Sequence, residues 1–304
     1  MKPKVSIICL AYNHEKYIRE ALDSIVTQKT AFPFEIIISD DASNDSTAQI
    51  INEYEEAYPE LIKPEYFTTN QYSQGIDIIS QLIKKAKGKY IAFCECDDYF
   101  TDNEKLQKQY DFLEANLECV AYVHDAVKIS ENGKRKLGIR KPFIKHDYLK
   151  IEDILQCIAS NYALNTLMVR SECLKELPDY YYMSPVGDIP LAIKISLCGT
   201  IYYDKKIMSA YRLASQGSWS QRIGSSKKYS NEYCNKMILM LEAFNKETNY
   251  KYKDILSEKI ELYEFWRAQF ANPRLVFKEK RFHNHFKRLS VNTKVKLIVK
   301  ALLK

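Results

Sequence analysis

Glycine is scarce in this chain, eight in 304 residues, and the scarcity removes a whole class of sites. No GxGxxG follows the first apolar run and no GxxxxGK[ST] occurs anywhere. The backbone cradles that hold phosphates in dinucleotide-binding and P-loop proteins are therefore missing, and a metal ion would have to do that work instead. Histidine is sparse as well. His283 and His285 stand at i, i+2, a spacing that does not bring two rings to one helix face, so no metal is assigned to them. The eight cysteines, at 9, 94, 96, 119, 157, 173, 198 and 234, form no CxxC pair. Several lie inside apolar runs, the pattern of buried thiols in a reducing compartment rather than of a disulfide frame or zinc site. No stretch approaches the ~18 apolar residues of a membrane span. The run from Val5 to Tyr12 follows Lys2 and Lys4 but is broken by Asn13-His14-Glu15-Lys16 without a small-residue cleavage site, so it does not read as a signal peptide. A cytoplasmic location is the expectation.

What is present describes a globular protein with ample core: 46% hydrophobic and 28% charged residues. The length fits one large domain or about two ordinary ones. Net charge is +6, unevenly spread. From Arg274 to Lys304 ten lysines and arginines face the single acid Glu279, so the tail is basic and the rest of the chain mildly acidic.

Strand and helix patterns alternate along the first two thirds. Val5–Leu10 and Phe34–Ser39 read as buried strands, Ile62–Phe67 as a weaker one. Helical spacing appears over Ile18–Val26, with Asn13 as a candidate cap, over about 46–58 and over Ile76–Ala86. Tyr90–Cys94 reads as a central strand, and a helix through Leu106, Tyr110, Leu113 and Leu117 follows. Further strands are expected at Val120–Ile129, Leu164–Val169 and Thr200–Tyr211, and a helix at Ile189–Leu197. Residues 130–150 look like a polar surface excursion. After Ser226 only helical patterns remain, at about 227–247 and 253–271. This is an α/β protein, a mostly parallel sheet flanked by helices with a helical C-terminal region; the expected division is 1–222 and 223–304.

Chemistry concentrates where Tyr90–Cys94 ends. Glu95, Asp97 and Asp98 arrive together, where open α/β sheets bind ligands. Crowded carboxylates repel unless a cation or donors neutralise them, and oxygen-only ligands suit Mg²⁺ or Mn²⁺, which also grips substrate phosphates. A solvated turn with Asp102 capping the next helix is the competing reading. Asp40-Asp41, at the end of the second strand, has its own competing reading: acids near a helix N-terminus are stabilised by ~0.3–1 kcal/mol without any ligand.

Three segments, Val5-Ser-Ile-Ile-Cys-Leu-Ala-Tyr-Asn13, Ile36-Ile-Ile-Ser-Asp-Asp-Ala-Ser-Asn-Asp-Ser-Thr47 and Lys87-Gly-Lys-Tyr-Ile-Ala-Phe-Cys-Glu-Cys-Asp-Asp98, together resemble the family 2 glycosyltransferases of the GT-A, Rossmann-like fold, in the bacterial cell-surface polysaccharide type. The likeness is strong over 4–115 and continues thinly through Val186–Leu191 and Tyr211-Arg212. It implies transfer of a sugar from a nucleotide-sugar to an acceptor hydroxyl with inversion. By the same resemblance Ala11, Tyr12 and Asn13 line the nucleotide pocket, and Asp41, with Asp40 beside it, accepts a nucleobase N–H, which favours uridine. Glu95-Cys96-Asp97 stands at the family's DXD position with Glu for the first Asp. Asp97 is then the direct ligand of Mg²⁺ or Mn²⁺, assisted by Glu95, with Cys96 beside the donor.

Asp188, in Gly187-Asp188-Ile189-Pro190, is the candidate base, although an N-cap explains the same residues; Glu152, Asp153 and Asp179 are fallbacks. Arg212 could clamp a phosphate with its planar fork. Its stretch resembles a family Tyr-Arg-x-His…Trp-Ser segment in which Ala214 replaces the histidine, leaving Gln216, Ser218, Ser220 and Trp219 as substitute contacts. His124-Asp125 is expected to pair across the sheet. The QxxRW stretch of processive synthases is absent, which favours one sugar per encounter. The alternatives are a sugar nucleotidylyltransferase, disfavoured by the missing glycine-rich loop, and a non-catalytic nucleotide-sugar-binding relative. The expected partners are a nucleotide-sugar donor and a glycan or lipid-linked acceptor. From about Asn292 apolar residues recur at helical spacing among lysines, so 274–304 is expected either to touch an anionic membrane at its inner face or to pack on the enzyme itself. Nucleic acid is not expected, because the tail lacks interleaved aromatics.

Overall fold

A computed structural model describes residues 2–142, 144, 146–158, 162–213 and 227–302; Ala214, Gln216, Ser218, Trp219 and Ser220 lie outside the described residues. The chain divides into two compact units, Met1–Leu177 with Leu191–Gly217, and Pro178–Pro190 with Ser218–Lys304. Residues 178–190 thus join the helical unit, a grouping that a single boundary at 222 does not contain.

The first unit is built on one ten-stranded sheet. β-branched apolar runs form β1 (Val5–Ala11) and β2 (Phe34–Asp40), both buried almost throughout. β3 (Ile62–Tyr66) and β4 (Tyr90–Phe93) complete a parallel core in the order β3-β2-β1-β4. Helix α1 (Ile18–Val26) buries Ile18, Ala21, Leu22 and Ile25. Helix α2 (Thr47–Ala57) buries Ile50 and Ile51, and α3 (Ile78–Lys85) starts on an Asp77 cap that accepts the Ser80 amide. Because β1 connects outward to β2 and the chain returns on its other side at β4, a switch point opens at the carboxyl end of β1, where such sheets take ligands.

Beyond β4 the sheet becomes mixed. β6 (Cys119–Ile129) and β10 (Thr200–Arg212) pair in parallel, and the short β9 (Met168–Arg170) joins them to β4 by antiparallel pairing on both sides. β5 (Tyr99–Phe100), β7 (Lys136–Arg140) and β8 (Tyr148–Leu149) add antiparallel edges. The 130–150 excursion therefore contains two strands. Leu164–Thr166, expected within a strand, is a 3-10 turn, because the Thr166 hydroxyl and amide both donate to the Ala163 carbonyl. Helices α4 (Lys105–Ala115) and α5 (Ile151–Gln156) lie in this unit. Arg170 fastens β9 to β6, α4 and β4, donating to the carbonyls of Cys119 and Leu113 and to the Tyr90 hydroxyl.

One glycine is required by close approach. A Cβ on Gly88 would stand 2.6 Å from the Ser6 nitrogen and 2.7 Å from the Tyr90 oxygen. The Gly88 amide donates to the Ser6 hydroxyl, which itself donates to buried Glu35. Backbone cannot retreat as a flexible side chain can, so Gly88→Ala is expected to cost ~3 kcal/mol of folding stability, read as a lowered urea midpoint with an unchanged slope.

The second unit holds α6 (Asp179–Met183), α8 (Lys227–Glu247), α9 (Lys253–Ala271), α10 (Pro273–Lys278), α11 (His283–Arg288) and α12 (Val291–Leu302). Helix α7 (Asp188–Cys198) begins in it and continues into the first unit from Leu191. Residues 178–190 belong here because Tyr180 packs edge-on against Phe244 at 5.3 Å. A second small core gathers Phe265, Ala268, Val276, Phe282 and Leu297.

Candidate active site

The loops after β1 and β2 are stitched together by reciprocal bonds. The Asn13 amide donates to the Ser43 hydroxyl and the Asn44 amide to Asn13 Oδ1. The amides of His14 and Glu15 donate to Thr47 Oγ1 and Asp45 Oδ2, while the Ser46 amide returns to Glu15. Asn13 thus ties two loops rather than capping α1. Asn13 and Ala42 have φ of +55° and +59°, a left-handed backbone that costs a non-glycine residue about 1–2 kcal/mol and recurs where surrounding structure imposes it at functional sites. Ala11 is buried and its carbonyl accepts the Asp41 amide; Tyr12 is exposed.

Asp40 and Asp41 are both buried, five or more residues ahead of α2. The helix-end reading fails for them: Asp45 fills that role, accepting the Thr47 amide. Asp41 receives the amides of Gln71 (2.6 Å) and Tyr72 (3.2 Å), so the 70–72 segment folds over its carboxylate. Burial pushes the Asp41 pKa up, against the pull of those two amides. Asp40 accepts the Ser43 amide on Oδ2, and its buried Oδ1 has no hydrogen-bond partner among the described residues.

The ladder between β1 and β4 runs on past the strand: the Cys94 amide donates to Ile8 and the Cys96 amide to Leu10. The chain then turns: the Asp98 amide donates back to the Glu95 carbonyl at 2.9 Å, and around that turn Glu95 and Asp97 stay half-buried while Cys96 and Asp98 are buried. This corrects one expectation. The Cys96 side chain is fully buried beside Cys9, whose hydrogen bond, with burial, drives its thiol pKa far up, and its amide is taken by the Leu10 carbonyl. Asp98 is structural as well. It accepts the Arg212 amide (2.7 Å) and the Asn165 side chain (2.9 Å), and burial, with Asp97 and Glu95 close by, raises its pKa well above the carboxylate range. Glu95 and Asp97 are left as the two half-buried carboxylates of this turn. No set of three or more metal-ligating side chains converges among the described residues. Two carboxylates fit Mg²⁺ or Mn²⁺, which keep several waters and complete their shell with substrate phosphate, and do not fit zinc.

Arg212 comes to this corner from behind. Its side chain is 2% exposed, and it donates to the Asp97 carbonyl, the Glu131 carbonyl and the Glu20 carboxylate, each at 2.7 Å. The guanidinium also lies over Tyr17, 4.8 Å from the ring centroid. With three of its donors so engaged, Arg212 holds the acidic turn in place; the phosphate clamp expected of it has no support in this geometry. Arg212→Met is expected to lower activity ~100-fold and cost ~3 kcal/mol, since a buried hub is broken. Arg212→Lys is expected to restore little of either, because one ammonium cannot reach three divergent acceptors; paired melting and rate measurements check both.

Several members of the site carried no legible signal. Asn165 bridges Asp98, Ala210 and Ser209. His14 stands among Asp97, Asp45 and Asp40, yet burial keeps its pKa below the usual value. Asp188 opens α7 and its Oδ1 accepts the Ile189 amide; it belongs to the second unit. Of the fallback acids, Asp153 accepts the Lys150 amide at the start of α5, Asp179 starts α6, and Glu152 is exposed. Asp102 does serve the start of α4, accepting the Glu104 amide. Asp125 pairs across the sheet with Tyr203 at 2.6 Å, and buried His124 bonds the Asp125 carbonyl. His285 pairs with Glu261 and His283 approaches the Phe277 carbonyl.

Comparison with known proteins places this region within a family. The family model for glycosyl transferase family 2 matches residues 6–171, which contain both loops and the acidic turn. A Mycobacterium tuberculosis protein of unassigned function is 33% identical over 245 residues, 79% of this chain and 67% of its own. A poly(ribitol-phosphate) beta-glucosyltransferase of Bacillus spizizenii is 40% identical over 114 residues, covering 37% of this chain and 18% of that one. Among solved structures, S. aureus TarS in complex with UDP-GlcNAc superposes with a TM-score of 0.63 at 20% identity, over 98% of this chain and 80% of that one, a likeness of fold. The expected GT-A architecture is therefore present, and the nucleotidylyltransferase alternative falls away. With a family match across more than half of its length, the chain belongs to glycosyl transferase family 2 and is a glycosyltransferase.

Proposed function

We propose that the protein is a metal-dependent, inverting glycosyltransferase that moves one sugar from a UDP-sugar to an acceptor hydroxyl in the synthesis of a cell-surface glycan. The observation that carries this reading is the turn after β4 that holds Glu95 and Asp97 half-buried, with His14 of the first loop among Asp97, Asp45 and Asp40. Asp97 and Glu95 would hold Mg²⁺ or Mn²⁺, which when bound supplies the positive charge that a departing nucleoside diphosphate requires. Asp41 and the unpartnered Oδ1 of Asp40 offer acceptors for a nucleobase N–H, with Tyr12 exposed beside them. Ala11 and Asn13 shape the loop through the Asp41 and Ser43 contacts. Arg212 fixes the Asp97 carbonyl, so the carboxylate is presented without rearrangement.

Asp188 takes the proton of the acceptor hydroxyl, whose oxygen then attacks the sugar from the side opposite the diphosphate; that direction of attack inverts the anomeric centre. The relative that acts on poly(ribitol-phosphate) supports a glycan or lipid-linked acceptor, and the basic 274–304 segment supports work at the inner face of a membrane.

The test is a panel of nucleotide-sugars scored by thermal stabilisation with and without Mn²⁺. A UDP-sugar at 100 times its Kd is expected to add ~2.7 kcal/mol to the folded state, and only when the metal is present. Stabilisation by GDP-sugars alone would overturn the uridine assignment, and stabilisation indifferent to chelator would overturn the metal.

A further inference from the structure

Among the described residues helix α12 buries one side chain, Leu297, and is tied down besides by Arg274, which donates to the Ala301 carbonyl. Leu297 is 3% exposed, against Phe265, Ala268, Val276 and Phe282. At 100° per residue, Val291, Val295, Ile298, Val299 and Leu302 fall within an arc of about 100° on another face, and all five are 41–78% exposed. Lys294 borders this stripe on one side, its Nζ bonded to the Lys287 carbonyl. Lys296 and Lys300 stand exposed beyond its other border, and the helix contains no acid. A helix that only decorated its own protein would turn the aliphatic stripe inward and the lysines out. Here both point away from the core.

We infer that α12 is a docking helix for an anionic lipid surface, lying in the plane of the interface with Val291, Val295, Ile298, Val299 and Leu302 inserted among the acyl chains and Lys294, Lys296 and Lys300 at the headgroups. This deepens the membrane placement proposed above by naming the face and the partner, and it is independent of the donor chemistry. Charge selects the occupant. A second copy packed stripe to stripe would bring six lysines together, whereas phospholipid headgroups neutralise them, and the surrounding 274–304 segment adds further positive charge against the lone Glu279. No helix of the described residues is long and apolar enough to cross a membrane, so the contact is peripheral.

The test is co-sedimentation of the full chain with vesicles of phosphatidylcholine alone or with 30% phosphatidylglycerol (about 30%, enough to make the surface anionic). Wild type is expected to bind the anionic vesicles at least tenfold more tightly, and to release them in high salt. Val295→Asp with Ile298→Asp, at exposed positions, is expected to lose that binding at least tenfold while keeping its melting temperature and its metal-dependent stabilisation by a nucleotide-sugar. Lys294→Gln with Lys296→Gln and Lys300→Gln is expected to abolish the preference for anionic vesicles. Equal sedimentation of the wild type and the aspartate variant would overturn the inference. So would a wild-type dimer in light scattering that the aspartate variant converts to monomer, since the stripe would then be a subunit interface. Loss of donor stabilisation in wild type with vesicle binding intact would count against the proposed reaction and leave the docking helix standing.

Discussion

Asp97→Asn is expected to fold, to keep a normal melting temperature and to lose metal-dependent sugar transfer by about a thousandfold, since ~4 kcal/mol of charge stabilisation corresponds to three decades of rate. The substitution changes charge and little else. Asp97 is half-buried at the surface of the acidic turn, and its carbonyl stays gripped by Arg212, so the backbone of the variant should not move. Glu95 in the same turn cannot hold the ion alone when the coordination already depends on waters and phosphate. The measurement is transfer rate against Mn²⁺ concentration for both proteins. A variant with wild-type rate and wild-type metal dependence would remove Asp97 from the reaction. The contrast with Arg212→Met is informative: that variant is expected to lose stability and rate together, because it disturbs the placement of the turn rather than its charge.

The second large effect is expected at Asp188. Removal of a general base slows proton transfer by about 10²–10⁴, so Asp188→Asn should lose transfer to the acceptor by that factor. Donor binding, read as metal-dependent thermal stabilisation, should persist. Asparagine can still accept the Ile189 amide through its side-chain oxygen, so the start of α7 survives and a folding defect does not confuse the result. The base must be ionised to act. Wild-type transfer is therefore expected to fall as pH drops, and the residual rate of the variant to lose that dependence. Retained transfer in Asp188→Asn would send the search to Glu152 and Asp179, since Asp153 is already engaged at the start of α5.

Regular structure could be read closely where one force dominates. The apolar runs of β1 and β2, the helical spacing of α1, and the long α8 and α9 appear within a few residues of their expected bounds, because burial of a periodic face is a local property of the sequence. The acidic turn was legible for the same reason: three carboxylates at the end of a buried strand are conspicuous whatever lies around them. The two strands in 130–150 were not, because β7 is exposed over four of its five residues and β8 is only two residues, so neither is marked by a buried apolar run.

The sequence by itself determined the α/β architecture, the family likeness and the acids that gather at the carboxyl ends of β2 and β4. Tertiary structure decided what each of those residues does. The turn closed by the Asp98 amide on the Glu95 carbonyl separated half-buried Glu95 and Asp97 from buried Cys96 and Asp98, a difference that depends on what packs around the turn. Arg212 became a brace because its partners, Asp97, Glu131 and Glu20, lie 115, 81 and 192 residues away in the chain. Asn165 and the outward stripe of α12 were settled likewise by distant packing partners, Asp98 and Phe265 among them. Spacing reports which side chains share a face; only the fold determines what that face meets.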